Sequence, residues 1–372
     1  MICRGIITLL VTFLMLSPVA AENYAIYGED YGDTGFDRFM EELPKEVRDA
    51  IGGISVTETD GAEALQSRLS FAYLWERIVM LCRERFLPFA GKCTAMCGML
   101  LITAMAKQLS GEDPFWEMCA DLAMALTIYS IAAEMFTIAG GYMETLCTVM
   151  NRMLPVLAAA SYSTGEITAA TVQHTGMVLF ITVLSSINTY VFQPLCRALF
   201  AMTIVSSVCT EVSVSGLLTG IKRFFLSLFS FFVLVYSFVY GVQTSLARSA
   251  DSLGLRTVRF ALGNFIPIVG GVVSEAFAAV REGLHYVKVM TGIGGILVLL
   301  FLLLPVGISM LLMQLSFSVS HMVADVLGCS KSAKWLADTS SVLQILMAMV
   351  WLSTLFFLFA MILYIKTAVH AS

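Results

Sequence analysis

Glu117 and Asp121 stand one helical turn apart at the start of the apolar stretch Trp116–Ile138, and Glu134 lies near its other end. Asn151-Arg152, Arg197 and Glu211 follow in or beside later apolar stretches. Ionisable groups in such runs are costly in lipid, and they commonly mark proton or ion pathways. Acids of this kind, paired with Arg152 or Arg197, could couple a proton or cation to transport. Glu117, Asp121 and Glu211 lie close enough to the ends of their runs to reach the headgroups, which requires no function. Glu134 and Arg152 sit deeper, and there two readings stand: an intramembrane functional group, or a side chain that reaches the headgroups.

Other chemistries find no matching pattern. The four histidines (His174, His285, His321, His370) are far apart, without the acid–histidine spacing of a metalloprotease. No G-x-x-x-x-G-K-[ST] phosphate loop occurs, so ATP is not used by that route. Cys93 and Cys97 share a helix face, yet no histidine or acid lies at ligand spacing, and buried thiols behave as small hydrophobes. Gly292-x-Gly294-Gly295 opens a hydrophobic run, where glycines permit close helix packing more often than they bind phosphate. The expectation is no enzyme, no cofactor and no metal.

These residues are carried by an unusually apolar chain: 372 residues, 58% hydrophobic and 13% charged, with a mean hydropathy of +0.84. Soluble domains are about 45–50% apolar and about a quarter charged. That excludes a soluble enzyme, a disordered chain and a nucleic-acid binder with a basic face. The length divides instead into bilayer spans of about 20 residues. The expected fold is all-α: a polytopic helical membrane protein with seven or eight spans.

Charge is uneven. Residues 22–70 hold 12 Asp/Glu against 4 Lys/Arg, whereas 71–372 are nearly balanced. Ahead of this acidic segment, Arg4, the apolar run Ile6–Leu16, Ser17-Pro18 and Val19-Ala20-Ala21 have the layout of a secretory signal peptide cleaved before Glu22. The expected organisation is a signal peptide over 1–21, an acidic exported segment over 22–64, a surface amphipathic helix over 65–89 and a transmembrane body over 90–372. In the surface helix Glu76/Arg83 and Arg77/Glu84 recur at seven-residue spacing among Phe71, Tyr73 and Trp75.

Eight stretches are apolar enough to be read as spans: Pro88–Ala106, Trp116–Ile138, Leu146–Tyr162, Ile167–Phe192, Leu195–Val212, Phe224–Val242, Ile293–Ser316 and Val342–Ile365. Gly140-Gly141 and Pro194 are taken as breaks. The run Phe260–Val273 is too short to cross, and Asn264, Pro267, Gly270 and Gly271 interrupt it. Two readings stand for it: a re-entrant or interfacial element covered by the bundle, or an ordinary loop. On the first, these four residues are candidate packing and assembly positions. Signal cleavage puts the mature N-terminus outside, which conflicts with Arg77, Arg83 and Arg85 under the positive-inside tendency; three agreeing features favour the signal peptide.

The run Arg256-Thr-Val-Arg259-Phe260-Ala-Leu-Gly263-Asn264-Phe265-Ile266-Pro267-Ile-Val269-Gly270 resembles a segment of the stage III sporulation protein AE family. Ser274-Glu-Ala276, Lys288 before Gly292-x-x-Gly295, Pro305 in an apolar run, and Asn151-x-x-Leu154-Pro155-Val-Leu157 before Gly165 agree with it. The resemblance implies a multi-pass subunit in the mother-cell membrane around the forespore. Its implied partners are other membrane proteins of the same sporulation operon and a forespore-side protein. Together they form a channel or secretion-like complex needed for late forespore gene expression. It implies no catalytic residues. The residues alone also admit a secondary transporter for a small solute, although no repeat of Asn264–Gly271 appears in the first half, as inverted-repeat transporters would show.

Overall fold

The computed structural model describes residues 36–45, 47–48, 70–109, 115–208, 215–265 and 270–369. The expected signal peptide and most of the acidic segment lie outside them. Among the described residues the chain is helical, without strands. A short α1 (Phe36–Glu41) precedes α2 (Phe71–Leu109), α3 (Phe115–Ser163) and α4 (Ile167–Ser186). One π-helical turn, Ile187–Phe192, joins α4 to α5 (Gln193–Val208); then come α6 (Ser215–Phe265), α7 (Gly270–Val326) and α8 (Ser330–Val369).

Among the described residues six stretches are long and apolar enough to cross a membrane: Ala72–Gln108, Met118–Ser163, Ile167–Ile204, Thr219–Thr257, Gly283–Val326 and Ser330–Ile365. This is the polytopic all-α fold expected, with fewer and longer rods. Pro88 lies inside α2, so the expected surface helix and first span are one helix. Gly140-Gly141 and Pro155 lie inside the 49-residue α3, which merges two expected spans. Without water to compete for its amides and carbonyls, a glycine pair does not end a helix. At Pro194 the rod also continues. The π turn just before it widens the backbone where the proline ring would otherwise meet the preceding carbonyls.

Two tight turns are set by glycine. Gly165 (φ 80°) and Gly328 (φ 70°) occupy the left-handed conformation that closes a helix. Glu166 N–H bonds Ser161 O and Gly165 N–H bonds Tyr162 O; Cys329 and Gly328 repeat the pattern on Ala324 and Asp325. These hairpins make α3–α4 and α7–α8 antiparallel neighbours.

The hairpin α7–α8 is the centre of the bundle. Leu297, Leu299, Leu343 and Phe357 are fully buried. Around it, Phe180 of α4 stacks on Phe356 of α8 and packs against Tyr236 of α6, so one aromatic cluster joins three helices. Close approach of α7 to α8 is made at Gly292, where a Cβ would lie 2.5 Å from Ile365 Cγ1 and 3.1 Å from Tyr364 Cδ1. The outer faces of α2 and α6 carry Leu101, Ile102, Met105, Phe224, Phe231 and Phe238, all exposed, as a lipid-facing surface requires.

Candidate functional site

Polar groups concentrate in two places. The first is one end of the bundle. Glu166, in the α3–α4 turn, meets Lys288 of α7 at 2.5 Å, with side chains 4% and 0% exposed. Because the Glu166 carboxylate is engaged there, the amides that open α4 are capped by another chain segment. Thr168 N–H and Ala169 N–H donate to Asp251 of α6 at 3.0 and 2.7 Å. The Lys288 ammonium also lies 5.1 Å from the Tyr364 ring centroid, and Tyr364 O–H donates to Leu157 O at 3.1 Å. Five helices and one turn thus meet around a buried ion pair. Such a pair contributes little net stability while both members are present, and its loss is costly when only one remains.

The sequence singled out other charges, and most of them have a place in the bundle. Glu134 pairs with Lys92 of α2 at 2.6 Å. Arg152 donates to Glu42 Oε2 at 3.2 Å and to Glu42 O at 3.3 Å, beside α1. Asp121 pairs with Lys331 of α8 at 2.6 Å. Each is an interhelical tie. Glu117 is in the first turn of α3, and Glu211 lies outside the described residues. Glu134 and Arg152 are not brought together.

Asn264 falls in the last turn of α6, and Gly270 and Gly271 open α7. Residues 266–269, including Pro267, lie outside the described residues. Asp251 and Lys288 mark the level at which α6 and α7 pass the α3–α4 turn. From there α6 runs on to Phe265, and α7 begins well before Lys288. Asn264, Gly270 and Gly271 therefore lie beyond the level of the buried pair. Alpha-1 is at the same end, held to α3 by Glu42 and Arg152.

The second polar place is a groove of about 650 Å³ between α3 and the α4–α5 rod. Thr137, Glu144, Thr148 and Asn151 form one wall; Ser185, Asn188, Thr189 and Arg197 form the other. Gln193 lies over Gly140, where a Cβ would come 3.0 Å from its Nε2, and accepts a long 3.5 Å hydrogen bond from Arg197. The π turn supplies part of the second wall, a position where such turns often serve function.

The seven described cysteines are free thiols. In the α7–α8 turn, burial pushes the Cys329 thiol above its ordinary range. Among the described residues no cluster of His, Cys, Asp or Glu could hold a metal ion.

Sequence reasoning passed over Glu166 and used Lys288 only as a landmark. Its available signal was a lysine inside the apolar run Tyr-Val-Lys-Val-Met. The groove was signalled by hydroxyl residues recurring at helical spacing.

Residues 83–368 match the sequence profile of a family described as stage III sporulation protein AE. A protein of that name from Bacillus subtilis (strain 168) is 24% identical over 238 residues, covering 64% of this chain and 59% of the relative. The match thus spans less than two thirds of that relative's length. No solved structure matches the chain.

Proposed function

Because the chain belongs to the stage III sporulation protein AE family, we propose that it is a membrane subunit of a channel or secretion-like complex between mother cell and forespore, needed for late forespore gene expression. The observation that carries this reading is the extent of the match, which runs from within α2 through α8 rather than over one motif. Its partners are other membrane proteins of the same operon and a forespore-side protein. Its place is the mother-cell membrane around the forespore. A solute permease, the other class the composition allows, gains no support from the family.

On this reading residues 1–21 are removed after export, and the acidic segment lies outside the cytoplasm. The bundle end that holds α1, the Glu166–Lys288 pair and the passage of α6 and α7 faces the same side. Asn264, Pro267, Gly270 and Gly271 are then the assembly positions. A tagged chain purified from sporulating membranes in mild detergent should retain other sporulation membrane proteins. Gly270→Leu should insert normally and lose them, since a branched side chain would block close packing there. Full partner recovery with both Gly270→Leu and Asn264→Leu would remove the segment from the assembly role.

A further inference from the structure

The α3–α4 groove, like the Lys92–Glu134 pair one turn away on α3, is polar among apolar spans. A small cavity that adjoins it, sharing Gly140, Asn188, Gln193 and Arg197 with it, is lined also by Leu346, Met349 and Val350, which belong to the Ser330–Ile365 span. Just beside it, Tyr142 shares a 2.5 Å hydrogen bond with Thr354 of the same span. The groove therefore sits at the depth of the apolar core.

On α3, Thr137, Gly141, Glu144, Thr148 and Asn151 are all exposed and follow one another at alternating four- and three-residue steps. That spacing keeps them on one helix face. On the facing rod Thr171, Thr175, Thr182, Ser185 and Thr189 are exposed at steps of four, seven, three and four residues, with the exposed Val178 between Thr175 and Thr182. Several hydroxyls return a bond to their own helix, as Thr148 does to Glu144 O and Thr182 to Val178 O. Those tolerate lipid. Glu144 and Asn151 have no side-chain partner among the described residues, and an unpaired carboxylate or amide against hydrocarbon costs several kcal/mol. Outward positions on the other spans include Leu126, Phe231 and Phe238. The polar face follows two helices along their length.

We propose that this groove is a track for phospholipid headgroups, along which a headgroup passes between leaflets while its acyl chains stay in the bilayer. The groove opens sideways on the outer surface of the chain, so the molecules that adjoin it in a membrane are lipids. Its walls hold a carboxylate, Glu144, and a guanidinium, Arg197, which match the ammonium and phosphate of a zwitterionic headgroup. Hydroxyls along both walls replace headgroup water at each step. The inference goes beyond the sporulation role and does not depend on it.

The test uses the purified full chain in phosphatidylcholine–phosphatidylethanolamine vesicles that contain a trace of fluorophore-labelled lipid, with dithionite added outside. Protein-free vesicles lose only the outer-leaflet signal. Vesicles with the chain should lose nearly all of it, while a water-soluble fluorophore trapped inside stays protected. Thr148→Leu/Ser185→Leu should slow the inner-leaflet loss by about tenfold, equivalent to about 1.4 kcal/mol in the barrier. Phe231→Leu, on the lipid-facing side of α6, should leave the rate unchanged. A plateau at the protein-free level would overturn the proposal. Quenching of the trapped fluorophore would overturn it too, by showing a water-filled pore instead. Equal rates for the groove and α6 variants would place lipid movement outside the groove.

Discussion

Lys288→Met is expected to leave little folded protein in the membrane. The substitution removes the cation and keeps its volume, so the Glu166 carboxylate stays inside the bundle with its partner gone. Breaking a buried pair in this one-sided way costs about 3–5 kcal/mol, against a total stability of about 5–15 kcal/mol for a typical protein. Asp251 offers no replacement, because it carries the same negative charge as Glu166 and holds the first amides of α4. The second variant, Glu166→Gln/Lys288→Met, removes both charges and should recover most of the loss. The readout is the amount of monodisperse protein in mild detergent and its thermal midpoint. A Lys288→Met protein with wild-type yield and midpoint would show that the two side chains do not meet.

The second large effect belongs to Gly292, and it is best read against Gly295. A Cβ at Gly292 would press on Ile365 Cγ1 and on the Tyr364 ring. Ile365 is branched at Cβ and stiff. Tyr364 is pinned by its bond to Leu157 O and by Lys288 over its ring. Ile365 has few rotamers to turn into, and Tyr364 cannot move aside without disturbing the buried pair, so Gly292→Ala should cost about 1–3 kcal/mol as an overpacked site. At Gly295 the Cβ would overlap the terminal methyl of Met153 even more closely. That methyl ends a flexible thioether chain, which can turn away. Alanine also favours the helix by about 0.8–1.0 kcal/mol over glycine, so Gly295→Ala should be nearly neutral. Thermal midpoints of the two variants in detergent decide the matter; an equal drop in both would refute this account of the α7–α8 contact.

Fold class was legible in the sequence because apolar content and run length leave few alternatives to a helical membrane bundle. Helix ends were less legible. Gly165 falls between the expected spans Leu146–Tyr162 and Ile167–Phe192 and closes a turn, whereas Gly140-Gly141, expected as a break, lies mid-helix. The difference is the left-handed closure at Gly165, which depends on bonds from Gly165 and Glu166 back to Tyr162 and Ser161. Partners of charges were not legible, because Glu134–Lys92, Asp121–Lys331 and Glu166–Lys288 join residues far apart in the chain. Lys288 illustrates the limit: its apolar surroundings mark it as unusual, but only the packing of α7 against the α3–α4 turn supplies its acid. Arg152 was weighed as a partner for intramembrane acids and instead binds Glu42, in the acidic segment that precedes the bundle.

The central claim is that this chain is a membrane subunit whose complex sustains the forespore late in development. The most direct measurement is a reporter of late forespore gene expression, followed with engulfment by microscopy in cells lacking the gene. The account predicts completed engulfment, a silent late reporter and restoration by the intact gene supplied elsewhere. An active late reporter together with an unchanged yield of mature spores would contradict it.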